Sequence, residues 1–234
     1  MPDDSFYAAA DTRRTVRDFL PEPVPQEVLD RCLDAALKAA SSSNLQHWEY
    51  VIIRDPAKRR EAESVCLSQK GPASAPLYLA VVAHTDTWQR TARFMLDTLK
   101  ERGILRPSQQ QYWGRSIGIL YRTGPFGLLG LAKKAASRLL SLLKPSHNLL
   151  SRADLRVLAH KSTALSAATF MLALRAEGYD SCPMEGFDAR RAAKLLGLKG
   201  EEEVCMFLAV GRRAPDGIRF DRALLPREWT VQRR

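Results

Sequence analysis

Three arginines and a threonine crowd into five residues at Arg13-Arg14-Thr15-Val16-Arg17. Guanidinium groups grip phosphate oxygens in pairs, and the free N–H groups of a helix start favour an anion. The run, read as standing at such a start, is a candidate phosphate site. A second cluster, Ser41-Ser42-Ser43-Asn44-Leu45-Gln46-His47-Trp48, immediately precedes a β-branched stretch. Its small hydroxyl side chains would let the backbone approach a flat ring, and the Asn44 amide can both donate and accept a hydrogen bond. The third cluster is Pro183-Met184-Glu185-Gly186-Phe187-Asp188. Its glycine lets a backbone amide come close to a ligand, and a loop that follows a buried helix is well anchored for that purpose. Each cluster also has an ordinary explanation: a solvated basic patch, a helix-to-strand loop with a core Trp, a plain turn. His47 reads as a structural loop residue, because the sequence places no second His, Asp or Cys beside it for nucleophilic catalysis.

The elements that must position these clusters are readable in part. After Thr12 the chain reads as a short charged helix end and a proline-rich turn. A helix then brings Val28, Leu29, Cys32, Ala35, Ala36 and Ala39 to one face, with Pro25 where a first-turn proline is tolerated. WEYVIIRD predicts a short strand turned by Asp55-Pro56, residues 57–67 a helix, and PLYLAVVAHTD a buried strand. Residues 161–176 predict an apolar core helix closed by Gly178. A short DSCPMEGFD connection, a helix through Leu196 ended by Gly197, and a strand VCMFLAVG follow. Helices and strands without strict βαβ alternation favour an α+β layer fold. With 234 residues and 45% apolar content, a single domain spanning 1–234 is expected.

Composition narrows the function classes. No apolar run reaches the roughly 18 residues of a membrane span, and the N-terminus lacks a secretory apolar core, so a cytoplasmic protein is expected. Cys32, Cys66, Cys182 and Cys205 show no metal-binding spacing and read as buried free thiols. The net charge of +10 is concentrated: residues 103–176 hold eleven Lys or Arg against one acid, Asp154, and the remainder balances. One basic segment on a neutral body argues for a specialised insertion at about 103–158 and against a nucleic-acid binder. Within it, Leu128, Leu131, Ala132, Ala135, Leu139 and Leu142 share one side of a helix. Lys133, Lys134, Ser137, Arg138, Ser141 and Lys144 oppose them.

Taken together, RRTVRDF, SSSNLQHW and PMEGFD resemble the nitroreductase family of flavoenzymes over residues 10–98 and 158–231. The resemblance implies a three-layer α+β fold with a mixed, mainly antiparallel central sheet flanked by helices. It also implies a domain-swapped homodimer with FMN at the subunit interface. Arg13, Arg14 and Thr15 would take the FMN phosphate and its neighbours, with Arg17 near the polar edge of the ring. Arg222, helped by Arg219 or Arg227, would be a second phosphate ligand, Leu224 replacing the family's usual arginine. Ser41, Ser42 and Asn44 would reach the flavin from the partner subunit, Gln69 would face the ring, Glu185 and Gly186 would lie beside its N5, and Pro183 and Met184 would also contact the cofactor. Two positions depart from the family pattern: His47 stands for the usual proline and Ser162 for an often-seen glutamine.

The implied activity is ping-pong hydride transfer from NADH or NADPH to a flat electron-poor acceptor such as a nitroaromatic, quinone or enone, with the flavin and no side chain carrying the hydride. The alternatives are a specialised reaction on the same fold (dehalogenation, substrate dehydrogenation or flavin breakdown) and a non-catalytic flavin-binding protein. The 103–158 insertion is expected to cover the flavin and choose the acceptor through Tyr112, Trp113, Tyr121 or Phe126. Its amphipathic helix suits packing on the partner subunit better than peripheral contact with an anionic membrane.

Overall fold

The computed structural model describes residues 5–67, 72–147 and 150–234. A four-stranded sheet has the order β1 (Trp48–Ile53), β2 (Leu77–His84), β4 (Glu202–Gly211) and β3 (Asp180–Met184). Every strand pair is antiparallel; the one parallel contact among the described residues is the isolated bridge between Thr15 and Ser181.

The apolar run of β2 is continuous because both of its faces are covered. Leu77, Leu79 and Val81 point with Leu208 and Val210 towards α2 (Gln26–Ala36) and α8 (Arg152–Ala176). Tyr78, Ala80 and Val82 point with Phe207 and Ala209 towards α3 (Pro56–Val65) and α9 (Ala189–Leu196). The result is the expected three layers. Phe170 and Phe207, fully buried on opposite faces, each contribute on the order of 1.5–3 kcal/mol. By length and composition α8 could cross a membrane, but it packs on α2 and the sheet and buries eight residues as a core helix.

Three expectations need correction. The helix α1 (Ser5–Thr12) stops before Arg13, so the arginine run leaves a helix end in extended form and gains no free helix N–H groups. It is fixed instead by Val16, whose N–H donates to the Ser181 carbonyl, and by burial of Val16 and Phe19. The first five residues of the DSCPMEGFD connection form β3, an edge strand that tolerates Pro183. The core helix begins at Arg152, nine residues before 161, because Ser151 and Asp154 cap it reciprocally.

Between β2 and α8 lie α4 (Trp88–Glu101), α5 (Pro107–Gln111), a π-helical turn Tyr112–Ser116, α6 (Ile117–Tyr121) and α7 (Leu128–Leu140). Ala92, Ile117, Tyr121 and Leu155 join Leu45 of the serine-rich loop in a third, smaller core. Inside α7, Gly130 is buried, and a Cβ there would come within 2.8 Å of the Leu150 carbonyl. Lys134 pairs with Asp154 at 2.8 Å. Burial alone would raise the Asp154 carboxyl; hydrogen bonds from Lys134 and Ser151 outweigh it and hold the group well below the usual carboxylate range.

Candidate functional site

The arginine run, as it leaves α1, faces the segment after β4 across a cleft of about 320 Å³. Arg13, Arg14, Thr15, Arg17, Arg219 and Arg222 line it. The backbone shapes this wall. The Arg17 N–H donates to the Gly217 carbonyl at 2.7 Å, and a Cβ on Gly217 would press within 2.6 Å of the Asp18 carbonyl. Arg222 donates to the carbonyls of Ala10 and Arg13 at the end of α1, and Arg14 to that of Phe220. Crowding is visible in Arg13: burial, then the neighbouring Arg222 and Arg14, push its pKa below the ordinary arginine value. Five guanidiniums facing the single acid Asp221 make a site for an anion. A larger cleft, about 700 Å³, shares Arg14, but its Arg175 and Arg213 are both paired with the buried Asp180, at 2.8 and 2.9 Å.

From this cleft β3 runs outward. Thr15 bridges Ser181, and Pro183 and Met184 lead to Glu185 and Gly186, which are exposed just past the strand. The serine-rich loop lies elsewhere, against α8. Ser43, Asn44 and Gln46 all have positive φ, at 57°, 54° and 48°. Non-glycine residues rarely adopt that conformation, at a cost of about 1–3 kcal/mol each, and it persists where surrounding contacts impose it. Here the Ser42 N–H donates to Ser162 Oγ at 3.2 Å, the Gln46 N–H to Ser41 Oγ at 3.1 Å, and Thr163 Oγ1 to the His47 carbonyl at 3.0 Å. The insertion closes on the same loop. Tyr112 Oη lies 2.7 Å from Ser43 Oγ, and Trp113 Nε1 donates to the Ser43 carbonyl at 3.1 Å.

The sequence pattern of the Nitroreductase family matches residues 10–212. The chain belongs to the nitroreductase family. It is therefore an oxidoreductase of the nitroreductase type. A Thermus thermophilus NADH dehydrogenase is 28% identical over 94% of this chain and 92% of its own length. Among solved structures, a nitroreductase-like protein of Bacillus subtilis superposes with a TM-score of 0.76 at 23% identity, over 98% of each chain. An Exiguobacterium sibiricum nitroreductase-like protein in complex with FMN does so with 0.73 at 19%, covering 98% of this chain and 97% of that one.

Both departures from the family's pattern have structural roles here. His47, in place of the family's proline, is fully buried. Its Nδ1–H donates to the His84 carbonyl at 2.9 Å, leaving Nε2 to accept from Tyr121 Oη at 3.4 Å, and burial lowers its pKa so that it stays neutral. Ser162 takes the Ser42 N–H. Tyr112, Trp113 and Tyr121 gather at the serine loop, whereas Phe126, 93% exposed, does not. Gln69 lies outside the described residues, and Arg227 and Leu224 do not line the arginine cleft. Sequence reasoning missed Met95, whose sulfur accepts from Asn44 Nδ2 at 3.4 Å, and Thr163; both lie far along the chain from the loop they hold. Cys32, Cys66 and Cys182 are buried and Cys205 half-buried, and burial raises all four thiols, Cys32 and Cys66 to about 12.

Proposed function

We propose that this nitroreductase-family chain is an FMN-dependent oxidoreductase that draws electrons from NADH or NADPH and delivers them to a flat, electron-poor acceptor such as a nitroaromatic, quinone or enone. The observation that carries this reading is the five-arginine cleft at the root of β3. Its donor set fits a phosphate monoester: paired guanidinium donors and a threonine hydroxyl, in a pocket where burial and then neighbouring positive charge lower the Arg13 pKa. Three strand residues carry the chain about 10 Å from Ser181 to Met184, which suits a ligand with an anionic end and an extended body.

Arg13, Arg14, Thr15 and Arg222 hold the phosphate, and Arg17 offsets negative charge at the polar edge of the ring. Pro183 and Met184 border the ring, while Glu185 and the Gly186 backbone face its reacting edge. Bound FMN supplies the two-electron redox chemistry. The protein orients the ring and keeps water away from it. Among the described residues, Ser41, Ser42 and Asn44 do not line the arginine cleft, which supports their serving the site of a partner subunit in a homodimer. Tyr112 and Trp113, fastened to Ser43, form the wall of that site where the acceptor lies. The enzyme acts in the cytoplasm.

The test is an absorbance spectrum of the purified protein, followed anaerobically by NADPH or NADH and then by a quinone or nitroaromatic. Flavin bands that bleach and recover are expected. Protein that takes up no flavin after incubation with FMN overturns the reading.

A further inference from the structure

The helix α7 is built inside out. Its polar side faces the protein: Lys133 Nζ donates to the carbonyls of Ile119, Leu120 and Arg122 at 2.6, 3.2 and 2.6 Å. Lys134 pairs with Asp154, and Ser137 Oγ donates to the His147 carbonyl. With Gly130 seated on the Leu150–Ser151 backbone, these contacts fix which way the helix faces. Its apolar side points away from the molecule. Leu128, Leu131, Leu139 and Leu142 are 65%, 56%, 69% and 80% exposed, and Phe126 at its start and Leu143 beyond its end are more exposed still. A contiguous exposed apolar face of this kind marks a docking surface.

Charge identifies what docks. Beside this face runs a groove of about 470 Å³ lined by Arg115, Arg122, Ile119 and Leu129. Arg115, Arg122, Arg138 and Lys144 are exposed and form no salt bridge among the described residues. Residues 115–144 carry six Lys or Arg and no acid. Two copies meeting α7 to α7 would bring these positive charges together, and a nucleic acid would meet leucines where it needs cations. A leucine face rimmed by arginines matches acyl chains beneath anionic headgroups. We propose that α7 and the Arg115–Arg122 groove dock the protein peripherally on an anionic lipid surface. The inference is independent of the flavin reading.

The test is sedimentation of the full chain with vesicles of equal parts phosphatidylglycerol and phosphatidylcholine, and with phosphatidylcholine alone. Binding to the anionic vesicles, weakened by high salt and absent with phosphatidylcholine, is expected. The triple variant Leu131→Glu, Leu139→Glu, Leu142→Glu should lose at least tenfold in bound fraction with unchanged circular dichroism and elution volume. Arg115→Glu with Arg122→Glu should lose a comparable share while leaving the leucines intact. Three outcomes overturn the proposal: no sedimentation at low salt, equal binding to both vesicle types, or a changed oligomeric state in the leucine variant, which assigns the face to a subunit contact. Flavin content measured on the same samples reports separately on the proposed function.

Discussion

Replacing Arg222 by alanine separates a ligand-binding arginine from a structural one. Its guanidinium is exposed and donates to the Ala10 and Arg13 carbonyls. Deletion removes those two bonds from an exposed site but also relieves the repulsion that lowers the Arg13 pKa, so the two effects on the unliganded protein oppose each other and its stability should change by less than about 1 kcal/mol. With a phosphate ligand, the loss is one charge-assisted bond, about 1.5–3 kcal/mol. The openness of the cleft to solvent favours the lower half of that range. A cost of about 1.5–2 kcal/mol weakens FMN binding by roughly 10- to 30-fold. Titrating the apoprotein with FMN and with riboflavin, which lacks the phosphate, gives the decisive comparison. FMN affinity should fall by that factor and riboflavin affinity should hold, so the preference for FMN shrinks by the same amount. Arg222→Lys should recover only part of it, since an ammonium cannot make a paired contact. Equal loss of both ligands would refute the argument and make Arg222 a tie between the C-terminal segment and α1.

Three further outcomes follow from particular contacts. His47 is held neutral by burial, so its folded-state pKa lies below the unfolded value near 6.5. The stability it contributes is complete above about pH 6.5 and is lost as pH falls below it, and urea midpoints should show a shallower acid decline in His47→Phe than in wild type. Gly130→Ala pushes a methyl group to within 2.8 Å of the Leu150 carbonyl, a backbone atom that cannot swing aside. A cost of about 1–3 kcal/mol is expected, seen as a lower melting temperature or faster proteolysis of the 128–147 segment. Tyr112→Phe removes the bond to Ser43 Oγ and should raise KM for the acceptor while leaving the rate of reduction by NADPH unchanged; the opposite pattern would remove Tyr112 from the acceptor wall.

What the sequence revealed depended on whether a feature was local. The β2 strand and the 161–176 helix were legible because uninterrupted apolar runs have few places to go but between two layers. β3 was not, because Asp180-Ser181-Cys182-Pro183-Met184 has the composition of a turn; it is a strand only because it lies at the sheet edge, where Pro183 need not donate, and pairs with β4. The arginine run was recognised by residue type but assigned the wrong local geometry. Its extended form is imposed by Ser181 and Gly217, more than 160 residues away. The positive φ angles at Ser43, Asn44 and Gln46 were likewise beyond local reading, because Ser162 and Thr163 hold that loop from a distant helix.

The helix α7 shows the limit of periodicity most clearly. Spacing correctly placed the leucines on one side and the lysines on the other, yet it contains no information about which side meets the protein. The usual assumption, that the apolar side packs inward, fails here for an identifiable reason. Two lysines can turn inward only if partners are waiting, and they are: the Asp154 carboxylate, the one acid in the basic segment, and three carbonyls of Ile119, Leu120 and Arg122. Gly130 between them lets the helix approach closely enough for both lysines to reach. The Asp154 carboxylate also accepts from the Ser151 N–H and hydroxyl in the capping box of α8, so the group that helps start the core helix also helps hold α7 against it with its leucines outward. A neutral residue in place of Asp154 would therefore remove the carboxylate's half of the capping box and the Lys134 ion pair together, leaving Lys133 and Gly130 to hold the helix.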